Sequence, residues 1–218
     1  MSDVGFLRLL TWLSPAFPTG GFAYSHGLEW AVEAGDITNG ATLQCWLEDI
    51  LFHGTGRSDA ILLRHAHRAA WEKTALAEIA ERAAAMAPSR ERQMETLAQG
   101  AAFVIAAAPW CGEILAGLER PTYPVAIGAL AGAAGIAEDA TALGFLQAFA
   151  ANLISAAVRL VPLGQTTGLA VLAALEPLIL DVALATRTAT LDDIGGAAFR
   201  ADIAAMRHET QYTRLFRS

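Results

Sequence analysis

Lysine is almost missing from this chain: Lys73 is the only one, and the arginines are scattered. Tracking a phosphate backbone takes a concentrated basic stripe, so a nucleic-acid binder is excluded. The formal charge of -7 suits encounter with basic surfaces of other proteins. Cysteine is also scarce. Cys45 and Cys111 lie far apart, with no His or Cys at metal-ligand spacing. That rules out the disulfide framework of a small secreted domain. Both read as buried thiols acting as small apolar side chains, with a single disulfide as the open alternative. The first eight residues lack the basic start and cleavage site of a signal peptide.

Catalytic signatures are missing too. No glycine leads into Lys-Ser or Lys-Thr, there is no G-x-S-x-G elbow, and no G-x-G-x-x-G follows a strand. His208-Glu209-Thr210-Gln211-Tyr212 opens like a zinc-protease motif but places Tyr212 where the second histidine is needed. His65 and His67, two apart, point in different directions on a helix. His26 and His53 have no acid or thiol beside them in sequence. Glu48 with Asp49, and Asp192 with Asp193, read as solvated faces or helix starts. No catalytic residue, metal site or cofactor is expected.

What the chain has in quantity is apolar mass. It is 54% hydrophobic and 17% charged, rich in alanine and poor in β-branched residues. Alanine loses the least side-chain entropy in a helix. No region alternates with period two for long enough to make a sheet. The fold class is therefore all-α: one domain, residues 1–218, forming a helical bundle of about eight to ten helices. The uncharged stretch 140–158 is long enough to span a bilayer. It lacks aromatic ends and a basic flank, so a central buried helix explains it better.

The breaks are legible. A first helix over 4–13 ends at Ser14-Pro15, and the chain re-enters helix from Ser25 to Ala34, closed by Gly35. Asn39 precedes a helix with Leu43, Trp46, Leu47, Ile50 and Leu51 on one face. After a glycine-containing break at 53–58, one long helical stretch is expected over 59–86. Ser89 caps the next helix, with Met94, Leu97, Ala101 and Val104 as its apolar positions. A short helix is expected over 113–118. Pro124 opens a run of apolar helices, broken near Gly135, Pro162–Gly164 and 191–196. A last short helix covers 197–207.

Three segments exceed what core-building needs. The first, 13–30, packs two prolines, Gly20-Gly21 and the aromatics Phe22, Tyr24 and Trp30 into one connection, with Glu29 in the first turns of the next helix. Its plain reading is a rigid connection with inward aromatics; its functional reading is a shaped loop presenting Phe22 and Tyr24. The second, 152–165, sets Asn152 and Arg159 in an apolar helix that breaks at Pro162-Leu163-Gly164-Gln165. The third is 208–218. There a helix would put Tyr212, Leu215 and Phe216 on one side, flanked by Arg214 and Arg217. Aromatics and arginine dominate binding hot spots. A docked terminus competes with a tail that orders in a partner's groove.

At these segments the chain resembles UreF, the urease accessory factor family. Ser14-Pro15, Gly20-Gly21-Phe22, Tyr24-Ser25 and Gly27-Leu28-Glu29-Trp30 are similar to the family's opening signature. Val161-Pro162-Leu163-Gly164-Gln165 is similar to its central loop. His208 to Ser218 resembles its ending almost residue for residue. Two positions depart: His26 where glutamine is common, and Thr213 where serine is common. The middle, 59–120, matches weakly. The resemblance implies an all-α, cytoplasmic, homodimeric and non-enzymatic protein. It would bridge UreD (also called UreH) and the nickel-carrying GTPase UreG, serving nickel insertion into apo-urease. Partner contacts would come from two sets of residues. The GTPase- or dimer-side loops supply Gly20, Gly21, Phe22, Tyr24, Ser25, Glu29, Arg159, Pro162, Gly164 and Gln165. The tail, facing UreD/UreH, supplies His208, Glu209, Gln211, Tyr212, Arg214, Leu215, Phe216 and Arg217. The alternative is a GTPase-activating regulator of UreG that uses an arginine, with Arg159 as candidate.

Overall fold

A computed structural model describes residues 2–111, 114–115 and 118–218. The described residues contain no strand, which bears out the all-α class. Among the described residues, ten helices have six residues or more: α1 (Asp3–Trp12), α2 (Leu28–Glu33), α3 (Gly40–His53), α4 (Thr55–Arg68), α5 (Lys73–Ala85), α6 (Arg90–Ala106), α8 (Tyr123–Ala133), α9 (Glu138–Leu160), α10 (Gly164–Ala185) and α11 (Phe199–His208). A four-residue helix, α7 (Ala108–Cys111), lies between α6 and α8. The short helix expected over 113–118 falls largely outside the described residues.

Local chemistry sets the helix ends. Ser2 and Ser89 accept from the backbone N–H three residues on, and Asn39 with Thr42 forms a capping box. Thr122 precedes α8 without a side-chain cap bond, and Pro124 lies in its first turn. Gly35 and Gly135, both at positive φ, close α2 and α8. The glycine-containing break is shorter than expected, because Gly54 alone separates α3 from α4. The long stretch expected over 59–86 is two helices. The chain turns between Arg68 and Lys73 so that α5 can fold back beside α4 and α8. Nothing in 69–72 breaks a helix locally, so packing decides this turn.

Two apolar clusters make the core. One, around Trp12, Leu63, Phe103 and Ile127, joins α1, α4, α5, α6 and α8. The other, around Leu28, Leu47, Leu146 and Leu175, joins α2, α3, α9, α10 and α11. Helices α4 and α9 contribute to both. By length and composition α9 and α10 could each cross a membrane, but α9 runs through the middle of the bundle, in contact with α2, α3, α4, α8 and α10. Cys45 is exposed on α3 and free. It is not the buried thiol expected, because α3 turns Leu43, Trp46 and Leu47 inward instead.

Candidate functional site

Helix α6 departs most from its expected pattern. Met94 and Ala101, expected inward, are exposed, and the buried face carries Glu91, Arg92, Glu95, Gln99 and Phe103. An inward charged face is stable only when its groups find partners. The partners come from the two ends of the chain.

The C-terminal segment supplies most of them. No helix forms beyond His208; residues 209–218 lie irregularly against α2 and α6. His208 is wholly buried at the end of α11. Its Nδ1 lies 2.6 Å from Glu91 and its Nε2 3.2 Å from Glu29. Glu29 also accepts from the backbone N–H of Leu215 at 2.7 Å and of Phe216 at 2.9 Å. Arg214 donates to Glu91 at 2.6 Å. Gln211 donates to Glu33 at 2.6 Å. The Glu209 carboxylate accepts from the N–H groups of Arg90 and Glu91, in the first turn of α6. Ser25 donates twice to the Ser218 carbonyl, from its N–H at 2.8 Å and its hydroxyl at 2.5 Å. Arg217 N–H donates to Ala23 O at 2.9 Å, and the Ser218 hydroxyl donates to Glu95.

The tail is thus part of the folded body. Tyr212, Leu215 and Phe216 do not share one side. Phe216 is 4% exposed, Leu215 is 67% exposed, and Tyr212 projects fully into solvent. Backbone capture by Glu29 replaces the helix that spacing alone would suggest.

The three singled-out segments meet here. The Arg159 guanidinium, in the last turn of α9, lies 3.8 Å from the ring centre of Phe22 and 4.3 Å from that of Phe216. Phe22 belongs to the opening loop and Phe216 to the tail, so one cation joins all three. Arg159 Nε donates to Ser155 O, and burial lowers the pKa of its guanidinium. The guanidinium is stacked on both rings. Asn152, one turn below Ser155, donates to Gly21 O at 3.4 Å. Gly20 and Gly27, both at φ +76, allow the loop its shape, and a Cβ on Gly27 would strike the backbone of Ala205. Tyr24 is buried, while Phe22 is exposed. Pro162 and Gln165 are exposed at the turn into α10, where Gly164 takes φ +70.

Behind this surface lies a charged interior. His26, at φ 63, lies 2.6 Å through Nε2 from Thr55 Oγ1 and 3.7 Å through Nδ1 from Glu95. The absence of a neighbouring acid in sequence is therefore corrected by the fold. Burial lowers the His26 pKa to about 4, and Arg92 pushes the same way. Burial would raise Glu95, but its ion pair with Arg92 and the proximity of His26 hold it at about 2. Burial raises Asp59 to about 7. Sequence reasoning missed Glu91, Arg92, Glu95 and Asp59. Their one signal was that Glu91 and Glu95, with Arg92 between them, stand four apart, as two residues on one helical face do.

His65 and His67 each hydrogen-bond a backbone carbonyl, of Ala189 and Ile136 respectively. No group of three or more His, Cys, Asp or Glu among the described residues could hold a metal ion.

The fold and site define an all-α protein whose opening loop, central helix end and C-terminal tail are pinned together by buried carboxylates and one stacked arginine. The UreF family model matches residues 37–176. The chain is 54% identical over 218 residues to the urease accessory protein UreF of Bradyrhizobium sp. strain BTAi1, covering 97% of this chain and 91% of the relative. It is 54% identical over 221 residues to that of Rhodopseudomonas palustris strain BisB18, with the same coverages. It is 52% identical over 225 residues to that of Xanthobacter autotrophicus strain Py2, covering 100% and 93%. The chain belongs to the UreF family, a family of urease accessory proteins and not of enzymes.

Proposed function

We propose that this protein is a urease-maturation scaffold. It bridges UreD/UreH and the GTPase UreG in the cytoplasm, so that nickel reaches apo-urease, and it contributes binding energy instead of bond chemistry. The observation that carries this is the convergence of Phe22, Arg159 and Phe216 into one stacked unit. Phe22 is exposed on that unit, and Tyr212 and Leu215 are exposed on the same tail segment that carries Phe216. Exposed aromatics over a rigid, hydrogen-bonded base suit a hot spot, because little side-chain or backbone entropy is left to lose on binding. The tail side of the surface is assigned to UreD/UreH, and the loop side, with Pro162 and Gln165, to UreG or a second copy. The outer face of α10, with Leu169, Leu180 and Leu184 exposed, supports self-association. The stacked posture of Arg159 favours this reading over GTPase activation through that arginine.

The test uses side chains that the fold does not need. Tyr212→Ala with Leu215→Ala leaves every backbone contact of the tail in place. Co-purification with UreD/UreH should drop at least tenfold while the melting temperature stays within a degree or two of the parent's. Undiminished capture of UreD/UreH would overturn the assignment.

A further inference from the structure

Beneath the Phe22 loop lies a cavity of about 250 Å³, room for far more than a single water. Tyr123, Phe145 and Phe149 are among its apolar walls, and His26, Asp59, Arg92 and Glu95 give it a polar floor. Asp59, Arg92 and Thr96 also line a second cavity of about 130 Å³ on their other side. Two floor groups are unmet. Arg92 is buried, yet its Nε–H has no hydrogen-bond partner among the described residues. The Asp59 carboxyl makes no hydrogen bond among them either, and Asp59 lines both cavities. Apolar walls with a few convergent, unsatisfied polar groups are the form of a small-molecule site.

Charge selects the class of ligand. Arg92 and Glu95 cancel as an ion pair. His26 is neutral near pH 7, and burial raises the Asp59 carboxyl to about 7, so it is about half protonated there and neutral only well below that pH. With its one unpaired acid about half protonated, the floor offers little to offset the desolvation of an ionic ligand. It does offer one free donor and one carboxyl group able to accept. Among the described residues, no group of three His, Cys, Asp or Glu is placed to hold a metal ion at this site.

We propose that this cavity binds a small neutral carboxamide with a flat apolar body. The amide oxygen accepts from Arg92 Nε–H, the amide N–H donates to Asp59, and the body lies among Tyr123, Phe145 and Phe149. Phe22, Asn152 and Ser155 also line the cavity, and Asn152 is the residue bonded to the opening loop. An occupant would therefore sit directly under the stacked surface. Glu95 on the floor also accepts from Ser218, so the site and the tail share a residue.

Benzamide is the probe, titrated into the full chain by calorimetry, with benzoate and benzylamine as charged controls of similar shape. Benzamide should bind saturably and at least about tenfold more tightly than either control. Asp59→Leu should weaken it at least tenfold. Ala148→Phe, which fills the cavity from α9, should abolish binding with the helical circular dichroism unchanged. Should Ala148→Phe not fold, Ser155→Trp at the exposed side of the cavity serves the same purpose. No saturable binding of benzamide, equal binding of benzoate or benzylamine, or full binding in the filled variant that folds would each overturn the proposal.

Discussion

Asp59 sets a measurable condition on the whole interior. Its carboxyl is raised by burial from an ordinary 3.8 to about 7. The folded state therefore keeps a proton that the unfolded chain releases near pH 4. Between about pH 4 and 7 the folded state binds more protons, so this residue makes stability fall as pH rises through that window. His26 has the opposite sign. Its pKa is lowered from 6.5 to about 4, so its contribution to stability is lost as pH falls from about 6.5 to 4. Glu95, held at about 2 against an ordinary 4.5, contributes stability that is lost as pH falls from about 4.5 to 2. Asp59→Asn removes only the first of these. The variant should gain on the parent as pH rises, melting higher at pH 8 by about 2–4 °C for each kcal/mol regained and showing little difference at pH 4. Calorimetric melting across pH 4–8 checks this; parallel profiles would refute the burial of Asp59 as a titrating group.

At the level of elements, α4 and α8 pack backbone against backbone. Gly128 and Gly132, four apart on α8, face the carbonyl oxygens of Leu63 and His67 on α4. A Cβ at Gly128 would collide with the Leu63 carbonyl, which is backbone and cannot swing away. Helix propensity alone favours alanine over glycine by about 1 kcal/mol. Gly128→Ala should nevertheless destabilise, by about 1–3 kcal/mol in urea unfolding, because overpacking outweighs propensity. A stabilised variant would mean that α4 and α8 are not in contact there. The caps and stops of these helices could be read from sequence, since Asn39, Ser89, Pro124, Gly35 and Gly135 act on their immediate neighbours. The inward face of α6 could not. Glu91, Arg92 and Glu95 look like a solvated charged face until His208, Arg214, Ser218 and His26 arrive from elsewhere in the chain to pair with them.

For the whole molecule, the tail is structure as well as surface. Removing residues 211–218 would take Arg214 from Glu91, Ser218 from Glu95 and Ser25, and two backbone donors from Glu29. Leaving buried carboxylates short of partners costs about 3–5 kcal/mol. The truncated protein should therefore lose stability by at least about 3 kcal/mol in chemical denaturation, together with any partner binding. Tyr212→Ala with Leu215→Ala should lose binding alone. Equal stability of truncated and full chains would show that the tail is not held as described.

The sequence by itself determined that the chain is helical, where most of its helices start and stop, and which family it belongs to. These follow from propensity, capping and short motifs, all of which operate within a few residues. The tertiary structure alone decided that α6 turns its charges inward, that Tyr212 and Phe216 part company, and that the opening loop, Arg159 and the tail form one surface. The physical reason is distance along the chain. The tail's bonds to α2 and α6 join residues from 117 to 187 positions apart. A carboxylate in a helix carries no local mark that distinguishes a solvated charge from a buried one with a partner.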